Sequence, residues 1–579
     1  MKRIISCLFA FLFALGAVSC TAKRNGDDTG NAVKTDTETV TTEEPELTKE
    51  EETKEIITAP DEDEGITACF AHAFVKTDPD AFSDTGMRSY TVYMCKNEYE
   101  NAQLILSADG GREGVSVEAP VLKNRDGAEL AANVIRQYYV KCLDRYYPDA
   151  IAPMNETTEK FDLSFGRSQA LFIQLKTGKD TRPGDYEGVI SVKCDGRTVK
   201  QLRLSAHVWD IELPDESSSA AVTGMYTGQV RRFHGDGDVE GYFAKYYDYL
   251  LEHRVNGYDL PYDILDARAD AYMSDPRVKN FRVPYCPDKD KKLLSYYEKL
   301  CKNEEWMKKA FFYPHDEPGT AASLDEMAKK CERLKRLCPG IRIVVPFFQN
   351  VQYDKDTDQI EMMDDHVDIW CPKSFCFTKP SDKAKGRKLL YNTAQSKKYP
   401  EFGERMMQKV AEGDELWWYV CWEPGLPYLN MYVDMTGLQN RLLFWQQKQY
   451  GVSGFLYWSS MYWPKVEDPW ESMATVGTDY KTGKKWLSDE VFGDGSLMYP
   501  GTKVGVDGPC GSFRLEMIRD GLEEFEMFTM LEKLSGREAV DGIINRVSAS
   551  IVKFTDSDDD FAQARIALGD ALERALKDK

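Results

Sequence analysis

Phe311-Phe312-Tyr313-Pro314-His315-Asp316-Glu317-Pro318 joins the content of a buried strand to two adjacent carboxylates. Neighbouring acids within a strand point to opposite faces, so one of them would be wasted or buried at a cost. At the C-terminal lip of a strand both can line one pocket. Two acids in unlike surroundings can hold different protonation states, which is what cleaving a glycosidic bond requires. The competing reading is an acidic strand-to-helix turn in which Asp316 or Glu317 caps the helix that follows.

Later segments offer partners for such a pair. Trp370 falls in an apolar run, Trp417-Trp418-Tyr419-Val420-Cys421-Trp422-Glu423 forms another, and Phe455-Leu456-Tyr457-Trp458 a third, with Tyr462 and Trp463 just beyond it. Aromatic faces stack on the C–H faces of pyranose rings, and Tyr and Trp add polar handles. Tyr226, Trp370, Tyr419, Trp422, Glu423, Tyr457 and Trp458 are therefore the candidate substrate-binding residues beside Asp316 and Glu317. Alternation along a strand sends about half of such side chains into packing instead. The six His show no metal-ligand spacing, and no phosphate-cradling glycine loop or G-x-S-x-G element occurs, so neither a metal nor a cofactor is expected.

These residues need a scaffold. From about residue 220, short apolar runs alternate with helical patterns: Val222–Thr227, Gly257–Pro261, Phe281–Tyr285, Ala310–Pro314, Ile341–Phe348, Val367–Cys371, Leu416–Trp422 and Gly454–Trp458. Phe243–His253, Leu293–Lys302, Ala321–Leu337 and Gly437–Tyr450 read as intervening helices. Eight such strands predict a (β/α)8 barrel over 213–500, whose active site belongs at the C-terminal ends of the strands. Residues 66–212 read instead as short strands between Gly-, Asp- and Pro-rich turns, predicting an accessory β-sandwich. Residues 501–579 read as helical, with Leu515, Ile518, Leu522 and Phe525 on one face and the nearby Arg residues in structural ion pairs.

The N-terminus reads as a secretion signal over 1–19. Lys2 and Arg3 precede an apolar stretch shorter than the roughly 20 residues of a membrane span. Ala17-Val18-Ser19-Cys20 has the form of a lipobox, with Cys20 as the lipid attachment site, and places the protein in a bacterial cell envelope. Residues 20–65 form an acidic tether: 13 acidic against 2 basic residues lie between Asp36 and Glu64, half of the chain's −22. Such a segment buries too little apolar surface to fold. The acidic balance of the remainder argues against nucleic acid as a partner. The membrane contact expected is through the N-terminal lipid alone. The 14 Cys lack C-x-x-C spacing, and those inside apolar runs, such as Cys142, Cys194, Cys371 and Cys421, read as small core residues.

Several blocks resemble glycoside hydrolase family 123 and the larger domain family around it. They are Lys96-Asn97-Glu98-Tyr99-Glu100 with Gln103, Arg182-Pro183-Gly184-Asp185-Tyr186, His315-Asp316-Glu317-Pro318, Gly454-Phe455-Leu456-Tyr457-Trp458, and Arg514-Leu515-Glu516 through Arg519-Asp520-Gly521. The resemblance implies an exo-acting β-N-acetylgalactosaminidase or hexosaminidase with a β-sandwich before a (β/α)8 barrel. It implies retention of configuration with help from the substrate's own 2-acetamido group. Glu317 would then be the general acid/base, and Asp316 would orient and polarise the acetamido N–H.

Two rival readings remain. Glu423 closes the seventh predicted strand as Glu317 closes the fourth, so a carboxylate nucleophile at Glu423 would need no acetamido group and a carboxyl separation of about 5–5.5 Å. A tethered, aromatic-rich surface protein that binds glycans without cleaving them is the other.

Overall fold

The computed structural model describes residues 65–579 apart from 156–157, 286–287, 349–357, 385–388, 390–401, 464–467 and 479–484. The expected signal, Cys20 and tether lie outside the described residues. No described helix is long and apolar enough to cross a membrane.

The N-terminal region is β-rich. Strands β1 (Ile66–Ala71), β2 (Ser89–Lys96), β3 (Tyr99–Ala108), β4 (Arg112–Glu118), β5 (Val121–Asn124), β6 (Glu129–Cys142), β7 (Arg145–Pro153), β8 (Phe161–Leu163), β9 (Ser168–Lys176), β10 (Gly184–Cys194) and β11 (Arg197–Glu212) follow one another along the chain. The hydrogen-bonded path runs β1-β3-β9-β6-β5-β10-β11-β2, antiparallel except for the parallel β11–β2 pair. Burial alternates along β6 and β11, as strands with one face on a core require. Leu104, Leu106, Leu171, Ile173, Ile190, Val192, Leu202 and Leu204 share that core.

The strands that follow are buried on both faces. They are β12 (Ala220–Thr223), β13 (Asn256–Gly257), β14 (Phe281–Arg282), β15 (Ala310–Phe312), β16 (Arg342–Phe347), β17 (Ile369–Pro372), β18 (Glu415–Val420) and β19 (Gly454–Tyr457). All are parallel, in the order β13-β12-β19-β18-β17-β16-β15-β14. Arg282 N donates to Tyr258 O at 2.7 Å across the remaining seam between β13 and β14. The result is a nearly closed, barrel-like parallel sheet. Each of the eight predicted apolar runs overlaps one of these strands.

Side-chain alternation sorts two layers. Val222, Phe311, Val344, Ile369, Trp417, Tyr419 and Leu456 form an inner cluster. Phe312, Ile343, Val345, Trp370, Leu416, Trp418 and Phe455 pack outward among helix residues such as Phe402, Met406, Leu438 and Leu442.

The C-terminal part is helical over Phe513–Ser535, Arg537–Ile544 and Asp558–Lys577, interrupted by a short hairpin at 548–554. It is bound to the N-terminal region rather than trailing from the sheet. After a hairpin of β20 (Ala474–Thr478) and β21 (Lys485–Phe492), strand β22 (Tyr499–Pro500) pairs with β23 (Pro509–Ser512), which in turn pairs with β7. Gly569 lies so close to Trp209 of β11 that a Cβ there would sit 2.2 Å from the indole. Leu515, Ile518, Leu522 and Phe525 are all buried as expected, and so are Arg514 and Arg519. Among the described residues every Cys is unbridged, and Cys142, Cys194 and Cys371 are buried.

Candidate active site

Beyond Phe312 the chain stays irregular to Thr320, where helix Ala321–Leu337 begins. That helix is capped by Thr320 and Ser323 in a reciprocal capping box, so neither Asp316 nor Glu317 is used as a cap. The acids are freed for other work. Glu317 adopts φ +43°, a region that a residue with a Cβ enters at a cost, and its N–H is held by Pro346 O at 3.1 Å. This turn brings both acids to the C-terminal end of the parallel sheet.

Each acid has its own surroundings. Tyr419 Oη donates to Glu317 Oε1, and Lys373 Nζ lies 3.4 Å from the same oxygen. Both contacts fall on Oε1. Tyr313 Oη donates to Asp316 Oδ1 at 2.7 Å. Partial burial pushes the Asp316 carboxyl above its ordinary pKa, and the neighbouring Glu317 charge adds to this; Tyr313, His315 and Lys373 oppose it. The two carboxyls thus stand side by side in unlike surroundings, Asp316 on one tyrosine hydroxyl and Glu317 on another together with an ammonium.

Lys373, which directly follows β17, was not among the residues singled out from sequence. It is buried, lies over the Phe348 and Tyr419 rings at 4.4 and 5.6 Å, and approaches Glu423 Oε2 at 3.9 Å. Burial works against its charge, while Cys421, Glu317 and Glu423 together hold its pKa above the usual value. One ammonium therefore links the end of β15 to the loop after β18. Its position at a strand end was the signal that could have found it.

The aromatic candidates separate by register. Tyr419 faces inward and holds Glu317. Trp458 is half-buried, its Nε1 donating to Asp494 Oδ1 at 3.0 Å. Its ring lies against Gly495 and against Tyr462 at 4.9 Å. Tyr226, 42% exposed, bonds Trp458 O at 3.4 Å, and Trp422, 40% exposed, sits on the loop after β18 beside Glu423. Trp370 is not brought to the site. It points out of the sheet, fully buried, with Nε1 donating to Asp414 at 2.8 Å and its ring against Phe347. Tyr457 is also buried behind the surface, donating to Asp494 Oδ1 at 3.2 Å, and serves as support.

Asp494 was also missed. It lies well beyond β19 in the chain, yet its carboxyl is buried beneath Trp458, and burial pushes its pKa up to about 6 against the hydrogen bonds from Trp458 and Tyr457. Nothing in its local sequence marks it. On the far side, Arg282 clasps Asp259 through two hydrogen bonds of 2.9 and 2.6 Å, with both side chains part-exposed. Among the described residues no group of three or more His, Cys, Asp or Glu could hold a metal ion.

The arrangement supplies two adjacent carboxyls in unlike surroundings and exposed aromatic ring faces near them. The family model described as Glycoside hydrolase 123, catalytic domain, matches residues 288–531. The chain carries a family 123 glycoside hydrolase catalytic domain. The matched span contains Asp316, Glu317, Lys373, Tyr419, Glu423 and Asp494, while Tyr226 and the Arg282–Asp259 pair lie before it. A family 123 glycoside hydrolase from Clostridium perfringens, described for glycolipid glycan hydrolysis, is similar at TM-score 0.60 and 12% identity, covering 89% of this chain and 98% of that one. At that identity the likeness speaks to fold. A family 39 glycoside hydrolase from Bacteroides cellulosilyticus aligns at TM-score 0.30 and 8% identity over 75% of this chain and 81% of that one, too slight a likeness for any inference. No curated protein matches this glycoside hydrolase in sequence.

Proposed function

We propose that this hydrolase removes β-linked 2-acetamido sugars, N-acetylgalactosamine or N-acetylglucosamine, from the ends of glycans by substrate-assisted catalysis with retention. Under this reading residues 66–212 are an accessory β-sandwich, 213–500 a (β/α)8 barrel, and Cys20 a lipid anchor in a bacterial envelope. A glycoconjugate substrate fits the glycolipid glycans named for the C. perfringens relative.

The observation that carries the reading is the pair of adjacent carboxyls at a strand end, held separately, Glu317 by Tyr419 and Lys373 and Asp316 by Tyr313. Glu317 Oε2 protonates the leaving oxygen while the acetamido carbonyl attacks the anomeric carbon. Asp316 accepts the acetamido N–H and supports the positive charge of the oxazolinium-like intermediate. Glu317, then a carboxylate steadied by Tyr419 and Lys373, draws a proton from water to open the intermediate. No enzyme nucleophile is needed. Trp458, Trp422 and Tyr226 provide ring faces for the sugar.

One observation favours a second reading. Glu317 and Glu423 share Lys373, so their carboxyls are no further apart than the sum of the two contacts, a bound that admits a nucleophile at Glu423. Hydrolysis of aryl β-GalNAc, β-GlcNAc and β-Gal, with and without an N-acetyl thiazoline inhibitor, separates the two. Cleavage of the acetamido sugars alone, blocked by the thiazoline, is expected. Turnover of β-Gal insensitive to the inhibitor, lost in Glu423→Ala and rescued by azide, would transfer the role to Glu423. No turnover of any substrate with glycan binding intact would leave a binding protein.

A further inference from the structure

The N-terminal region has a cavity of about 320 Å³ far from the dyad in sequence, walled by β6, β7, β8, β9 and the loop between the last two. Its lining combines Arg136, Tyr139, Tyr146, Asp162, Arg167 and Gln169. The volume lies at the small end of the range for ligand pockets, which suits one sugar ring.

Arg136 is the informative group. Its guanidinium lies over the rings of Tyr138 and Phe161 at 5.0 and 4.8 Å, and its Nε donates to Gln169 Oε1 at 3.2 Å. Gln169 is itself locked, its amide nitrogen donating to Gln137 O and Ala170 O at 2.7 and 2.8 Å. Among the described residues no carboxylate stands within ion-pair distance of Arg136; burial works against its charge, and Tyr138, Tyr139 and, through space, Asp162 on the same wall offset part of that cost. A partly desolvated cation with no direct ion pair is costly to keep in a fold. Arg167 supplies a second guanidinium, tied to Asp80 at 2.8 Å and lying 5.9 Å over Tyr146.

The rim adds ring faces. Phe165, at the tip of the Ser164–Arg167 loop, is 74% exposed, and Tyr146 is 40% exposed. Exposed rings beside fixed, planar polar groups are the chemistry of sugar recognition, and a guanidinium without a direct ion pair takes an anion through paired N–H donors. We propose that this cavity is an ancillary, non-catalytic site for an acidic sugar, whose carboxylate or sulfate ester meets Arg136 while its ring rests against Tyr146. Such a site would hold the hydrolase on charged glycans while the dyad acts elsewhere.

The test uses the full chain carrying Glu317→Gln, so that turnover and binding cannot be confused. Titration calorimetry with glucuronate, galactose 6-sulfate, galactose and inorganic sulfate reads the site directly. Either acidic sugar is expected to bind at least ten-fold more tightly than galactose and than inorganic sulfate; which of the two does so tells carboxylate from sulfate ester. Arg136→Met should weaken that binding at least ten-fold. Should Arg136→Met fail to fold, Tyr146→Ala, at an exposed position, should lower the affinity several-fold and, in the chain with Glu317 intact, leave hydrolysis of a small aryl glycoside unchanged. Binding no tighter than that of galactose or inorganic sulfate, or binding untouched in a folded variant, would overturn the proposal. The outcome is independent of whether the dyad is substrate-assisted.

Discussion

At the scale of single residues, the dyad is set apart by what it does not do. Thr320 caps the following helix, so the strained turn at Glu317 has no structural use that a Gly or Asn would not serve better. Glu317→Gln should lower kcat by about 10²–10⁴-fold with the fold retained, as read by steady-state kinetics and circular dichroism. Asp494 makes a different prediction. Its folded pKa of about 6 lies above the ordinary 3.8, so the folded chain binds this proton more tightly than the unfolded one. The stability contributed is fully present below the ordinary pKa and is lost as pH rises through about 6. Melting curves should show the wild type losing ground against Asp494→Asn between pH 4 and 7.5, by on the order of 3 kcal/mol. A constant gap across that range would show that the buried carboxyl does not hold its proton. The residue scale is also where sequence reading was most exposed to error. Trp370 and Trp417 look alike on paper, and only strand register decides which face each takes.

At the scale of elements, the blocks that looked most distinctive turn out to be joints. Glu98, in the turn between β2 and β3, and Glu100, at the start of β3, meet Arg565 and Arg441. Arg441, on helix Gly437–Gln449, also contacts Asp520 and Glu524 at 3.1 and 2.7 Å on helix Phe513–Ser535. These acids are buried, and Glu523 beside them is pushed up to about 8 by burial. Arg441→Met would take one cation from Glu100, Asp520 and Glu524, leaving them only Arg565 or Arg519, and should cost about 3–5 kcal/mol in urea unfolding. Gly569→Val tests the neighbouring joint. Its side chain would collide with Trp209, and overpacking of this kind costs about 1–3 kcal/mol, seen as a lower Tm. The helix positions and the strand runs were legible because a continuous apolar run and a 3.6-residue stripe are local patterns. The partners of Glu98 and Arg565, 467 residues apart, were not.

At the scale of the whole molecule, the N-terminal region is built into the catalytic part. Strand β23 completes its hydrogen bonding on β7, and Arg514 pairs with Asp149 at 2.8 Å with both side chains fully buried. Removing residues 66–212 would leave an open strand edge and an unpaired buried guanidinium. The truncated protein should be insoluble. Calorimetry of residues 66–579 should give one cooperative transition; two separable ones would show that the regions are independent.

Read alone, the amino-acid sequence determined the number of the parallel strands, the β-rich character of residues 66–212 and the place of Asp316 and Glu317 at a strand end. Each follows from patterns within a few residues of one another: hydrophobic period, turn chemistry, and charge breaking an apolar run. The tertiary structure alone decided that Tyr419 and Lys373 hold Glu317, that Asp494 lies beneath Trp458, that Trp370 faces away, and that Arg136 is left without a direct ion pair. Those facts depend on register and on contacts between distant segments. Burial and proximity set the strength of each charge there, and neither quantity exists until the chain has folded.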